Sequence, residues 1–392
     1  MGYSMENVSR DLFVSKGNLS EMENGIRIMR ADLFDSLVNK YGIPFHNDPS
    51  LLAVCRSILV DLFDSFVRFD DAALEAHEKR FLDLRPTLID SCAYYHVRLT
   101  DFFLMRILHK EHDRSLFEEL EQAMPVFLND EKALIYFAAG LQFRKRYEFD
   151  CRNDLFHKAS GLLDEKLFFG FQALVHYYEI QASRKEADPF NAYVLCVETS
   201  KFFYQTHNYL RCLYLDNTEA LCLISCHQLQ SALKQLDVVL ANIGFVQDEY
   251  LRFCVLQNRF LVLALMGRHH EALSCMEKEA DIFRFGLSYF MLSAYCLYME
   301  DEYEKALQAI AAMQPYARFD EEKLLFRTVE AAINGSPQLE RLGRQLLDIC
   351  IQIPDYQLGE LVYLLLIHCY TRMNDSKRLL AVQSEYISYL TE

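Results

Sequence analysis

The chain has 392 residues, a formal net charge of −16 and an apolar share of 52%, so it can bury a large core and cannot bind nucleic acid over its whole surface. Only 13 Gly and 8 Pro punctuate it, too few for a many-turned β protein and suited to long helices on short connections. No uncharged apolar run reaches the ~18–20 residues of a membrane span and no signal-peptide pattern opens the chain, so a soluble, cytoplasmic protein is expected. The twelve cysteines form no spaced framework; Cys55, Cys196, Cys222, Cys254, Cys296 and Cys369 sit among Leu, Val, Tyr and Phe, as reduced thiols packed like small apolar side chains do.

Residues 1–43 read as a head of short helices. Ser4 can cap the first, with Glu6 at its positive end and Val8 and Leu12 on one face. Val14 enters a turn, Ser15 caps the next helix, and Leu19 and Met22 face inward at i and i+3. Asn24-Gly25 stops it, both being residues that tolerate a left-handed backbone. Ile28, Leu33, Leu37 and Val38 continue as an amphipathic helix ending at Tyr41-Gly42-Ile43-Pro44. This head holds five Lys/Arg and six Asp/Glu, a net of −1, so the other −15 lies beyond it and any DNA contact must be local.

The order Ser4, Glu6, Val8, Ser9, Val14-Ser15, Leu19-Ser20, Glu23-Asn24-Gly25 resembles the helix-turn-helix of Cro/CI-like repressors, the XRE family. Met5 stands where that family usually has Gln, Phe13 where Gly is common, and Glu21 puts an anion on the DNA side. The family's first helix would precede Ser4, so the head reads as truncated. The resemblance implies that Lys16, Gly17 and Asn18 meet base edges in the major groove of double-stranded DNA. It assigns phosphate contacts to Ser15, Ser20, Asn24 and Arg27.

The polar, proline-marked stretch PFHNDPS at 44–50 is the expected linker. From 51 to 392 apolar residues recur at helical spacing, as in SLLAVCRSILVDLFDSFVRF, the signal of stacked amphipathic helices. LMGRHHEALSCM and YMEDEYEKALQAI place Ala272 and Ala306 34 residues apart, with Gly267 in the first copy and Tyr303 in the second at repeat consensus places relative to those alanines. Ala264 and Ala294 supply small residues in the preceding helices, HQLQSALKQLD around Ala232 is a looser earlier copy, and RMNDSKRLLAV is a degenerate last one. This period and pattern resemble TPR repeats, whose helix pairs cross closely only where side chains are short. Before about residue 190 the sequence shows helices but no period. The expected fold is therefore all-α, a helix-turn-helix head followed by a TPR-like α-solenoid.

A Cro/CI-type head on a TPR-like array resembles the Rgg- and PlcR-like peptide-pheromone regulators. The resemblance implies a homodimer whose heads read a two-fold DNA site, gated by a short signalling peptide in a concave groove. Aligning Ala232 with Ala272 places Asn217 and Gln257 at equivalent inward positions, with Asn258 beside the latter. Side-chain amides suit an extended peptide because each both donates and accepts.

No chemistry competes with this reading. His109 and His112 lack further ligands at readable spacing, and Cys222, Cys226 and His227 adjoin a core-like LCLISC run. His269 and His270 are expected as exposed turn residues. No phosphate-binding loop, HExxH or GxSxG occurs, so neither a cofactor, a metal nor an enzymatic activity is expected. Two alternatives stand beside the transcription regulator: a TPR-only adaptor for a protein partner, and a Rap-like regulator of a phosphorelay, neither binding DNA.

Overall fold

The computed structural model describes residues 4–24, 26–27, 29–108, 114–142, 149–183, 189–246, 248–278, 288–317, 320–352 and 356–391. Among them every regular element is helical, apart from one isolated bridge between His46 and Ser91. The chain forms two compact units, one of residues 1–66 with 70–128, the other of 67–69 with 129–392.

In the first unit α1 (Met5–Asp11) and α2 (Lys16–Glu23) are capped as the sequence predicts: Ser4 Oγ accepts the Asn7 N–H and Ser15 Oγ the Asn18 N–H. Phe13 between them takes a left-handed φ of 54°, and the Val14 N–H reaches back five residues to the Ser9 carbonyl. Leu12 and Leu19 are buried. Asn24 ends α2 at φ −87°, so it is not the left-handed residue expected there, and Gly25 and Ile28 lie outside the described residues. The next helix, α3 (Ala31–Tyr41), stops at Gly42 with φ 58°, and Tyr41 ties it to α1 through a 2.7 Å hydrogen bond to Asp11.

Then come α4 (Pro49–Arg68), α5 (Asp71–Ile89), α6 (Tyr94–Ile107) and α7 (Arg114–Gln122); α4 thus begins inside the stretch 44–50. The remainder of that stretch is held by backbone bonds, His46 N–H to Asp90 O and Cys92 N–H to His46 O.

The second unit holds α8 (Asn129–Gly140), α9 (Phe149–Ser160), α10 (Phe171–Ser183) and α11 (Pro189–Gln205), then α12 (Tyr209–Ser225) with α13 (Leu229–Asn242) and α14 (Glu249–Leu265) with α15 (His269–Lys278). Three more pairs follow: α16 (Ser288–Met299) with α17 (Tyr303–Met313), α18 (Asp320–Ile333) with α19 (Leu339–Gln352), and α20 (Tyr356–Arg372) with α21 (Ser376–Thr391).

One local geometry recurs. His207, His227, Gly267, Asp301, Gly335 and Asn374 are all left-handed, and the N–H after each donates to the carbonyl five residues back, as Arg268 does to Leu263 at 2.9 Å. This is the Schellman closure, which satisfies orphan helix carbonyls and reverses the chain. The last five of these residues are spaced 40, 34, 34 and 39 apart. Five positions after the first four of these stand Cys212, Ala232, Ala272 and Ala306, none more than 1% exposed, whereas Glu340 and Leu379 hold that place after Gly335 and Asn374. In the pairs α12–α13, α14–α15 and α16–α17 the two helices cross at that alanine, where only a small side chain fits.

The first helices of successive pairs touch, α12 to α14, α14 to α16 and α16 to α18, whereas the second helices touch one another far less. An array packed this way carries its first helices on the inner side. The protein is an all-α, TPR-like solenoid in this unit, and among the described residues no helix is long and apolar enough to cross a membrane.

Gly267 tests the turn. A Cβ there meets nothing within 4 Å, so its φ of 72° is the only obstacle to a side chain. Gly267→Ala should lower stability by about 1 kcal/mol. Gly244→Ala, equally open and without a positive φ, should instead raise it by about 0.4–1 kcal/mol. Urea unfolding of the two variants, with helix content followed by circular dichroism, measures both signs.

Candidate functional site

Asn217 on α12 and Asn258 on α14 meet across the inner layer, Asn258 Nδ2 donating to Asn217 Oδ1 at 2.9 Å. Asn217 is 7% exposed, and Gln257 and Asn258 are half-buried. Gln257 lies one residue, about 100° round the helix, from Asn258 and does not share this bond. The three amides are therefore a bonded pair and a neighbour. Each carboxamide carries both a donor group and an acceptor, so the pair keeps valences for a third partner.

A second rung lies one turn earlier. Tyr214 Oη donates to Asp248 Oδ2 at 3.1 Å, while Asp248 Oδ1 caps α14 through the Leu251 N–H at 2.8 Å. Sequence reasoning missed this rung, although Asp248 just before a helical run is a legible cap.

The same stretch of α12 carries Asp216, whose carboxyl is pushed up by burial while Tyr204 donates to it at 3.1 Å. Burial, then the neighbouring Asp216, also raises Glu219. Burial and Asp216 together push the Cys212 thiol up to about 12, so it stays protonated and is no nucleophile.

The penultimate helix α20 packs against α12, α14 and α16 and so bounds the inner face. Its Gln357 donates to Ser225 Oγ at 2.9 Å, Glu360 lies 3.7 Å from His227 Nδ1, and Arg372 lies 3.9 Å from Asp301. Asn217 precedes Ser225 by two helical turns, about 12 Å along α12.

In the head, Lys16, Gly17 and Asn18 form the first turn of α2, with Lys16 and Gly17 exposed. Lys16 Nζ sits 3.4 Å from Glu6, Arg27 Nε sits 3.2 Å from Glu21, and Asn24 turns back to the Ser20 carbonyl at 2.7 Å. Ser15 is occupied as a cap, and Ser20 is half-buried.

His109 and His112 lie outside the described residues, and no group of three potential metal ligands occurs among those described. Cys222 is buried, Cys226 half-buried, and His227 is a left-handed turn residue. His270 is exposed as expected, but His269 is not: it is 8% exposed, its ring 5.8 Å from that of Tyr295. His269 stands two places after a left-handed residue, where other turns put Leu229 and Tyr303, packed against the core, but also Tyr209, 56% exposed, so the register alone does not bury it.

The amide pair makes a prediction. Asn217→Ala and Asn258→Ala should each cost about 1–3 kcal/mol of stability, because each leaves the other amide without its partner. The double variant should lose less than the sum, giving a coupling of about 0.5–3 kcal/mol in a double-mutant cycle read by urea unfolding. Strictly additive losses would mean that the bond is not formed in solution.

No protein-family profile matches the chain, and no curated relative does. Solved structures do match. A Rap protein complexed with competence and sporulation factor is 16% identical, with a TM-score of 0.68 over 86% of this chain and 97% of that one. NprR in complex with its cognate peptide NprX is 14% identical, with a TM-score of 0.64 over 86% and 99%. Aspartyl phosphate phosphatase F from Bacillus subtilis is 14% identical, with a TM-score of 0.59 over 88% and 94%. At such identities the likeness is one of fold, and it extends over most of the chain.

Proposed function

We propose that the chain is a peptide-responsive transcription regulator, its array binding a short peptide on the inner face of α12 and α14. The observation that carries this is the Asn217–Asn258 pair, two amides on adjacent first helices with valences suited to a peptide backbone. Gln257 extends the polar strip, and Tyr214 borders it. Two of the similar structures hold peptides or factors, competence and sporulation factor in one and NprX in the other, which supports a peptide as the ligand class. The head of residues 1–43 then contacts DNA through Lys16, Gly17 and Asn18, with Ser15, Ser20, Asn24 and Arg27 on phosphates. A homodimer would present two heads to a two-fold site.

A second reading has its own observation. Four of the five basic residues of the head sit beside a carboxylate: Lys16 by Glu6, Arg27 by Glu21, Lys40 by Asp11, and Arg30 by Asp32. Such pairing removes the positive field that draws a protein to DNA. It favours an adaptor, or a regulator of a phosphorelay, that acts through protein contacts alone.

Selection from a pool of random duplexes, followed by gel shift at low salt, separates the two. The first reading expects an enriched sequence whose binding is lost in Lys16→Ala and whose base preference relaxes in Asn18→Ala. Glu6→Gln and Glu21→Gln should tighten binding and steepen its salt dependence by about one unit of log–log slope per cation freed. No enrichment, with the two glutamine variants as inert as the parent, would leave the protein-contact reading in place. For the array, fluorescence polarisation against a library of short synthetic peptides should find binders that Asn217→Ala and Asn258→Ala weaken by about tenfold or more, a loss of one to two hydrogen bonds.

A further inference from the structure

α20 is held against the inner layer at its two ends and along its length. Near its start, Gln357 and Glu360 meet Ser225 and His227. At its end Arg372 lies over the Tyr303 ring at 4.6 Å and faces Asp301, which also accepts a hydrogen bond from Tyr303. Between these lies a joint of two imidazoles and two phenols drawn from three helices. His269 opens α15, Tyr295 and Tyr298 share a face of α16, and His368 lies on α20, its ring 5.4 Å from that of Tyr298.

The polar atoms of this joint are poorly served. His269 Nε2, His368 Nε2 and the Tyr295 hydroxyl are buried and have no hydrogen-bond partner among the described residues. His269 Nδ1 faces Glu300 at 3.4 Å. Of the other charges around the joint, Asp301 is engaged by Arg372 and Tyr303, and Glu360 accepts from Tyr386 at 2.8 Å. Glu300 is therefore the carboxylate that faces the His269 imidazole, while the two charges acting on His368, Asp301 and Arg372, are paired with each other. Neutral imidazoles fit this joint; two imidazolium ions repel each other and Arg372 in a place with little water.

We propose that the α15–α16–α20 joint is an acid-sensitive latch: protonation of His269 and His368 releases the C-terminal half of α20 from α16. Released there, α20 stays tied to the end of α12 by Gln357 and Glu360 but no longer closes the inner layer at α16, which adjoins the α14 helix of Asn258, so acidification changes access to that face from this side. This last consequence rests on the peptide reading; the latch does not.

The direction of titration agrees. Burial first, and then the other histidine, hold His269 down from its ordinary value against the pull of Glu300. Burial holds His368 down, with Arg372 adding to it and Asp301 opposing. A histidine whose pKa is lower folded than unfolded contributes stability that is fully present above about pH 6.5 and is lost as pH falls below that value.

Hydrogen exchange of the full-length protein at about pH 7.5 and about pH 5.5, corrected for intrinsic rates, tests it without peptide or DNA. Amides of α16 and of residues 364–372 should exchange faster at the lower pH, by up to about tenfold for each histidine, the ceiling that a pH one unit below the ordinary imidazole pKa sets. Amides of α12 and α13 should change less. His368→Asn and His269→Asn should each reduce the acceleration, and the double variant should abolish it. A uniform acceleration through all helices, or one that survives in the double variant, overturns the proposal. Should those variants not fold, NMR titration of the two imidazoles in the parent protein decides: ordinary pKa values of about 6.5 for both would overturn it equally.

Discussion

The array depends on a backbone constraint, the left-handed residue that closes each helix pair. Once the N–H after Gly267 has bonded to the Leu263 carbonyl, the second helix must run back along the first. In three successive pairs the crossing then falls five residues on, and Ala232, Ala272 and Ala306 stand there for steric reasons. Everything on the inner face inherits this register. Asn217 and Asn258 meet because two successive pairs are closed by the same turn, forty residues apart. A side chain at one place on α12 therefore has a counterpart beside it on α14, and the polar strip is built from such neighbours.

This explains which parts were legible in the sequence. Local determinants were: Ser4 and Ser15 as caps, Gly42 as a stop, and the Ala272–Ala306 period, because each acts within a few residues or repeats. The amides were placed on the correct helices by the same register. Their bond to each other was not foreseen, since a one-residue offset between Gln257 and Asn258 decides which of them faces Asn217, and that depends on the rotation of α14. The return of α20 onto α12, α14 and α16 was equally hidden, for it joins residues more than a hundred positions apart, such as Ser225 and Gln357. His269 was misread because a polar residue in a turn is usually solvated, and only the packing of α16 against it reverses that expectation.

In the head, backbone geometry and charge are set by different residues. Phe13 holds a left-handed turn where the resembling family commonly has Gly, at a cost of about 1–2 kcal/mol for a residue with a Cβ, and its ring is 97% exposed. The turn is kept by the Val14 bond to Ser9 and by the buried Leu12 and Leu19, not by the side chain at its apex. Geometry and charge are thus separable here. The two helices are set by caps and a small core, while Glu6 and Glu21, beside Lys16 and Arg27, determine how much positive field this part of the head can offer.

A similar balance applies where α20 meets the turns. Two of the left-handed residues it approaches are not glycine: His227 faces Glu360, and Asp301 faces Arg372. A left-handed residue with a side chain costs about 1 kcal/mol relative to glycine, and a part-exposed ion pair returns about 0–1 kcal/mol. The two nearly cancel, so these contacts add little net stability. Their effect is positional. A glycine at either turn would close the helix pair as well as Gly267 does, but it would leave one end of α20 without its polar partner. Leu361, Val362, Leu365 and Leu366 are buried and hold α20 by apolar area, a non-directional force. The polar contacts at the two ends, Glu360 to His227 and Arg372 to Asp301, are directional, and they favour the register where His368 meets Tyr298.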